Sequence, residues 1–370
     1  MNFYPIINRH AAWLVANPIQ GCPNNCKYCF LQSVNGTKIK PNILCSPEET
    51  IKEITSSSFY ISDIPLCLFS QTDIFSTKQN IQFLDLLIDK LLVSEIYNPL
   101  VLITKCKIPE DIINRLIELR SSGRQVVVYL SYSGIDTSIE QGINVEVIRE
   151  NFQILHNNRI PVIHYFRPII PQNGTFEKID EIIDYVSKYA RASVVAGLKI
   201  ERSYIKNLDF WQEIALDNEI EYAECVWPTN SKDYLKQIAA KYNYPIYETN
   251  SCALSYVLGS DERYGFYDTK MCKTFNHCPI ERHKKCKKDH ITPDISSITT
   301  KLSTLLQKIH KPGEFQCSIE KGILFIQGIE LTIEETCFLS GELHIRVDST
   351  LKKQGFYWNT SINDTEGIQK

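Results

Sequence analysis

Cys22-Pro-Asn-Asn-Cys26-Lys-Tyr-Cys29-Phe30 is the sharpest chemical feature of the chain. Thiolates are soft ligands suited to iron–sulfur clusters and to zinc. Spacings of three and two residues let one loop wrap a single metal centre. No fourth cysteine lies nearby, which leaves one metal position open, as a catalytic metal needs and a structural one does not. A zinc knuckle completed by a distant residue, or a buried cysteine cluster, is the structural alternative.

A second set follows much later. Cys252 is succeeded by Cys272, Cys278 and Cys286, four cysteines within 35 residues. Four thiolates would close a site, as in an auxiliary [4Fe–4S] cluster or a structural zinc; unligated cysteines are the third reading. Around Cys286 lie Arg282, Lys284, Lys285, Lys287 and Lys288, the strong basic patch of the sequence. Such a patch suits nucleic-acid phosphates, with an affinity that falls steeply with salt, or is a solvated loop. Lys353 followed by Phe356, Tyr357 and Trp358 offers a nucleic-acid contact, a partner surface or a small core. Cys67, Cys106, Cys317 and Cys337 read as apolar fillers.

Composition bounds the rest. With 370 residues, 43% hydrophobic and 22% charged, the chain predicts two or three domains with filled cores. Disorder as the main state is excluded. The balance of 40 basic against 43 acidic residues excludes a global polyanion-binding field, so any nucleic acid must meet a local patch. No run of apolar residues is long enough for a membrane span. The opening MNFYPIINRHAAW lacks the basic and apolar regions of a secretory signal, so a cytoplasmic location is expected. In a reducing compartment, clustered cysteines bind metal or do chemistry more often than they pair.

The elements that must position these residues alternate. Apolar β-type runs at 12–16, 65–70, 99–104, 125–131, 161–167 and 193–200 are separated by amphipathic stretches near 47–58, 78–94, 109–122, 144–158 and 176–190. Ser46-Pro47-Glu48-Glu49 opens the first helix with a Ser cap, Pro at N1 and Glu at N3. Alternation of this kind implies βαβ units and a parallel sheet, as an open doubly wound sheet or a partial barrel. In either, ligands gather beyond the C-terminal strand ends. Beyond residue 200 the pattern predicts helices near 207–217 and 230–242 around a short run at 221–226. A helix near 295–309 then leads into strands near 322–328, 343–347 and 355–359 with a short helix near 332–340. The expected division is a core over 1–205, a cysteine-rich extension over 206–292 and a small α+β module over 293–370.

A C-x3-C-x2-C loop with an aromatic before its last cysteine, directly after a first strand, resembles the signature of radical S-adenosylmethionine (radical SAM) enzymes. Further strand-end elements resemble the spore photoproduct lyase-like, DNA repair photolyase-like branch. They are Ser70-Gln71-Thr72-Asp73-Ile74-Phe75, Thr104-Lys105, Ser131-Tyr132-Ser133, Glu140, Arg149 and Arg167-Pro168, and the likeness runs from about 13 to 200. The resemblance implies a partial (β/α)6 TIM-type barrel. It implies a [4Fe–4S] cluster on Cys22, Cys26 and Cys29 that binds SAM and generates a 5′-deoxyadenosyl radical, with electrons from an external flavodoxin- or ferredoxin-like donor. Thr72 or Asp73 would hold the SAM amino group, Lys105 its carboxylate, and Ser131 or Ser133 its ribose or carboxylate. Tyr28 and Phe30 would lie near the adenine, with Arg149 among the cofactor contacts. True spore photoproduct lyases carry a hydrogen-donating cysteine just ahead of the Thr/Ser-Asp element. Ser70 stands there in this chain, which speaks against repair of the spore thymine dimer.

The function expected is therefore hydrogen abstraction from a nucleic-acid base or nucleotide. Radical modification of a peptide or protein with help from an auxiliary cluster is the first alternative. A non-catalytic zinc module that binds nucleic acid is the second.

Overall fold

The computed structural model describes residues 4–215, 222–262, 294–320 and 322–352. The strands are β1 (Ile7–Arg9), β2 (Leu14–Ala16), β3 (Ile19–Gln20), β4 (Asn25–Cys26), β5 (Asn42–Ile43), β6 (Leu66–Leu68), β7 (Leu100–Thr104), β8 (Val126–Leu130), β9 (Glu140–Gln141), β10 (Val162–Ile169), β11 (Ala192–Glu201), β12 (Tyr222–Val226) and β13 (Ile246–Tyr247). Helices α1 (Pro47–Ser56), α2 (Lys78–Val93), α3 (Glu110–Ser121), α4 (Val145–Asn157) and α5 (Phe176–Val186) fall between the parallel strands. The capping box expected at α1 is present: Ser46 Oγ accepts from Glu49 N at 3.2 Å, and Ser46 N donates back to the Glu49 carboxylate at 2.7 Å.

The main sheet runs β1-β2-β6-β7-β8-β10-β11-β12, with β13 also paired to β11. From β2 to β11 every pairing is parallel, and spatial order equals sequence order. A doubly wound sheet needs a reversal of strand order between its halves. Without one, all right-handed crossovers turn the same way, and the helices fall on a single face. That face buries Leu14, Leu66, Leu102, Val128 and Phe166 against Leu84, Leu87, Leu116, Phe152 and Ile183 of the helices.

The alternate residues Trp13, Val15, Cys67, Val101, Val127, Tyr129, Ile163 and Val194 form a second core on the other face. One cluster reaches from β2 to β13 across that face, as a sheet curled into an arc of barrel requires. A helix fills its interior. After α6 (Gln212–Ala215) and α7 (Ser231–Tyr242), helix α8 (Asn250–Leu258) packs Ala253 and Leu254 into this core. Gln125, just before β8, donates to the Leu258 carbonyl at 3.3 Å, so α8 reaches the N-terminal end of the strands.

Residues 294–352 build α9 (Ile295–Lys308), β14 (Gln316–Glu320), β15 (Ile323–Leu331), α10 (Ile333–Leu343) and β16 (Arg346–Lys352). The strands form a sheet of order β14-β15-β16 over a core of Leu302, Leu306, Ile326, Phe338 and Val347. Phe59 and Ile61, from the loop after α1, pack into the same core. The final strand expected at 355–359 lies outside the described residues. Among the described residues no helix is long and apolar enough to cross a membrane.

His164 on β10 faces the helices, fully buried, with Nε2 donating to the Tyr132 carbonyl at 2.8 Å and Nδ1 lying 2.8 Å from Ser193 Oγ. Burial lowers its pKa from 6.5 to about 3. The unfolded chain takes up this proton below about pH 6.5, whereas the folded chain resists until about pH 3. The neutral ring's contribution is therefore complete above that window and is lost as pH falls through it, by roughly 2 kcal/mol at pH 5. Urea melts at pH 7 and pH 5 should show a smaller difference in a His164→Gln protein. An equal difference in both proteins contradicts the assignment.

Candidate active site

The cysteine loop leaves β2 at the C-terminal edge of the barrel. Short pairings hold it: β3 with β5, β4 with β9, and a bridge from Cys22 to Thr37. Gly21 sits at φ 94°, where a Cβ would come within 2.7 Å of Ile39, so the turn into the loop favours glycine. Cys29 N donates to the Cys26 carbonyl at 3.0 Å, and Gln32 Nε2 donates to the same carbonyl at 3.1 Å. The three cysteines line a cavity of about 780 Å³, which also meets Tyr28, Phe30, Thr72, Asp73, Lys105 and Ser131.

Strand alternation explains the strand-end part of the lining. On β7 and just past it, 101, 103 and 105 share the inner face, which brings Lys105 over the cavity. On β8, Val127 and Tyr129 lead in the same way to Ser131. Lys105 Nζ donates to the Ser131 carbonyl at 3.1 Å and to Glu140 Oε1 at 2.8 Å. An ammonium has three protons, so one remains for a ligand. Burial works against this cation, but Glu140, then Cys26 and Asp73, outweigh it and raise its pKa.

Asp73 ties the ends of two strands together. Its carboxylate accepts from Thr104 Oγ1 at 2.8 Å, Lys105 N at 2.7 Å and Phe75 N at 3.1 Å. Burial raises its pKa against those three donors. Thr72 Oγ1 accepts from Asn80 Nδ2 at 3.4 Å and keeps its own proton to give. The Tyr28 hydroxyl donates to Glu140 and lies beside Lys105, whose Nζ is 5.9 Å from the ring centre.

Burial pushes the Cys22 thiol up to about 12, the Cys29 thiol up to about 11 and the Cys26 thiol well above its usual range. Three such thiols ionise together only with a cationic partner among them, and metal binding supplies one. No three His, Cys, Asp or Glu side chains among the described residues gather round one metal-ion position. All three cysteines line the cavity, where thiolates could serve together as ligands of one metal centre.

Two expected contacts lie off the cavity lining. Arg149 lies on α4 in the outer helical layer, away from the cavity lining. Its guanidinium sits 4.4 Å over the Tyr185 ring and 3.9 Å from Glu146. The helical period turns it away from the strand ends. Ser133 is also off the lining and 1% exposed; its hydroxyl accepts from Ile135 N at 3.3 Å, within the turn after β8. Cys252 lies on α8 against the inner-face core, and its three candidate co-ligands Cys272, Cys278 and Cys286 fall outside the described residues. So does the basic run Arg282, Lys284, Lys285, Lys287 and Lys288.

The cavity also gathers residues to which the sequence reading gave no role. Trp13, Gln71, Tyr165, Arg167, Lys199 and Asn250 line it. Tyr165 and Arg167 are two apart on β10, and Arg167 Nη1 donates to the Tyr165 hydroxyl at 2.9 Å. Period-two alternation at the strand ends was the signal that could have found them.

The architecture defined so far is an arc of parallel barrel with a cysteine loop at its C-terminal mouth. Among solved structures, the chain is similar to spore photoproduct lyase complexed with dinucleoside spore photoproduct, with TM-score 0.45, 13% identity, and 60% of this chain and 71% of that chain covered. A variant of that lyase with bound AdoMet and the same dinucleoside aligns with TM-score 0.46 and 13% identity, covering 62% of this chain and 72% of that one. SuiB of Streptococcus suis bound to S-adenosylmethionine aligns with TM-score 0.45 and 10% identity, covering 70% of this chain and 55% of that one. No protein-family model and no curated protein matches the chain.

Proposed function

We propose that the protein is a radical SAM enzyme in which Cys22, Cys26 and Cys29 hold a [4Fe–4S] cluster and the adjoining cavity takes SAM. The observation that carries this reading is that Cys22, Cys26, Cys29 and the strand-end Lys105 line one cavity. When bound, the two cofactors supply a 5′-deoxyadenosyl radical able to abstract a substrate hydrogen, fed by an external flavodoxin- or ferredoxin-like donor.

The chain's own work is placement and exclusion. Lys105 offers its third proton to the SAM carboxylate as a point-charge contact. Thr72 offers a hydroxyl proton. The Tyr28 side chain is engaged by Glu140, so its approach to the adenine would be through its backbone. Below the cavity, Trp13, Tyr129 and α8 fill the barrel and bar solvent from that side.

The substrate we propose is a nucleic-acid base or nucleotide. Its support is the lysine-rich run at 282–288 together with Arg167 and Lys199 in the cavity lining. A duplex base would have to be extruded or met single-stranded. A peptide substrate is the second reading, favoured by the cysteine-rich extension with its candidate auxiliary cluster or zinc at Cys252, Cys272, Cys278 and Cys286.

Anaerobic purification tests the proposal. We expect a brown protein containing iron and sulfide that releases 5′-deoxyadenosine from SAM once reduced. A colourless protein holding only zinc ends the enzyme reading. Salt-dependent retention of DNA or RNA, lost when Lys284, Lys285, Lys287 and Lys288 become Glu, supports the nucleic-acid substrate. No retention even at low salt turns the choice to a peptide.

A further inference from the structure

Glu140 is no part of the cysteine motif, yet it stands directly behind it. Its backbone pairs with that of Cys26, and Lys27 N donates to the carbonyl of Ile139 at 3.0 Å. Gly142 follows at φ 88°, where a Cβ would meet Asn24 Oδ1 at 2.8 Å, so the two loops are closely apposed. The Glu140 side chain is 1% exposed. One oxygen, Oε1, accepts from Lys105 Nζ at 2.8 Å and from the Tyr28 hydroxyl. The other, Oε2, is buried with no hydrogen-bond partner among the described residues. A carboxylate so deeply withdrawn from water is costly unless its charge is compensated, and Lys105 is the cation that compensates it.

We propose that Glu140 is a positioning residue. It holds the Lys105 ammonium against the cysteine loop, and the balance of this buried pair sets the electron affinity of the cluster on Cys22, Cys26 and Cys29. The inference rests on the radical SAM reading above. Its sign follows from electrostatics. Removing the carboxylate charge leaves the ammonium uncompensated and favours an added electron, while removing the ammonium does the reverse.

The test uses the reconstituted full-length protein and three variants: Glu140→Gln, Lys105→Met and the two together. Iron and sulfide are counted first. The cluster's midpoint potential is then measured by redox titration without SAM or substrate. We expect Glu140→Gln to move the potential positive and Lys105→Met to move it negative. Each shift should be about a tenfold change in the reduction equilibrium, about 59 mV for one electron. The double variant, uncharged at both positions, should lie near the unmodified protein. Shifts of the same sign, or unchanged potentials at full iron content, overturn the proposal. If Glu140→Gln alone fails to assemble, the other two decide: a negative shift in Lys105→Met that the double variant does not reverse is a refutation. Loss of iron in the double variant also counts against charge setting and leaves the pair a purely structural role. An unmodified protein that binds no iron and sulfide overturns the enzyme reading instead.

Discussion

A Cys26→Ala protein purified without oxygen is expected to be folded, colourless and unable to cleave SAM. Cys26 is 8% exposed and sits on β4, whose backbone pairs with β9 through main-chain groups that alanine retains. The substitution removes one sulfur from a site at the cavity wall, so the cost in stability is small beside the loss of a ligand. With two thiolates left, a four-iron cluster lacks a corner, and SAM cleavage should fall by at least about 1000-fold, because the chemistry belongs to the cofactor rather than to the chain. Cys67→Ala is the matched control. Cys67 is fully buried in the inner-face core and off the cavity lining, so its replacement should lower stability and leave iron content unchanged. Iron and sulfide analysis with a 5′-deoxyadenosine assay reads both. Full iron and undiminished cleavage in Cys26→Ala would sink the site.

Lys105→Met should weaken SAM binding roughly 10- to 100-fold, the usual loss for a hydrogen bond to a charged group. It should also destabilise the fold, because Glu140 would remain 1% exposed with its cation gone. Breaking a buried pair by removing one partner costs about 3–5 kcal/mol. Lys105 itself is 15% exposed, so solvent relieves only part of that cost. Adding Glu140→Gln should recover most of the stability and none of the SAM affinity. Equilibrium dialysis and urea melts separate the two effects. Recovery of both, or loss of neither, would mean that Lys105 does not face the ligand.

Much of this site was legible before any tertiary contact was known, for a simple reason. Cys22, Cys26 and Cys29 lie within eight residues, and a loop that short can only present them together. The parallel strands and helices α1 to α5 lie close to the expected runs because each carries its own local signal: alternation, helical period, or a cap such as Ser46 with Glu49. Strands β1, β3, β4, β5, β9 and β13 were missed. They are two or three residues long, too short for a period to register, and they exist because partner strands pair with them. β14 was missed as well, although Cys317 and Ile319 alternate with polar neighbours and pack against the small core; its pairing with β15 holds it.

The sequence by itself determined the three-cysteine loop, the alternating elements and the cavity's approximate address at the strand ends. Each of those depends on residues close along the chain. Tertiary structure alone decided that α8 packs into the inner face of the arc that the motif resemblance implied. It alone sent Arg149 outward to Tyr185 and brought Tyr28 to Glu140 across 112 residues. Contacts of that span depend on strand register and loop course, which many distant residues settle together and no local pattern records.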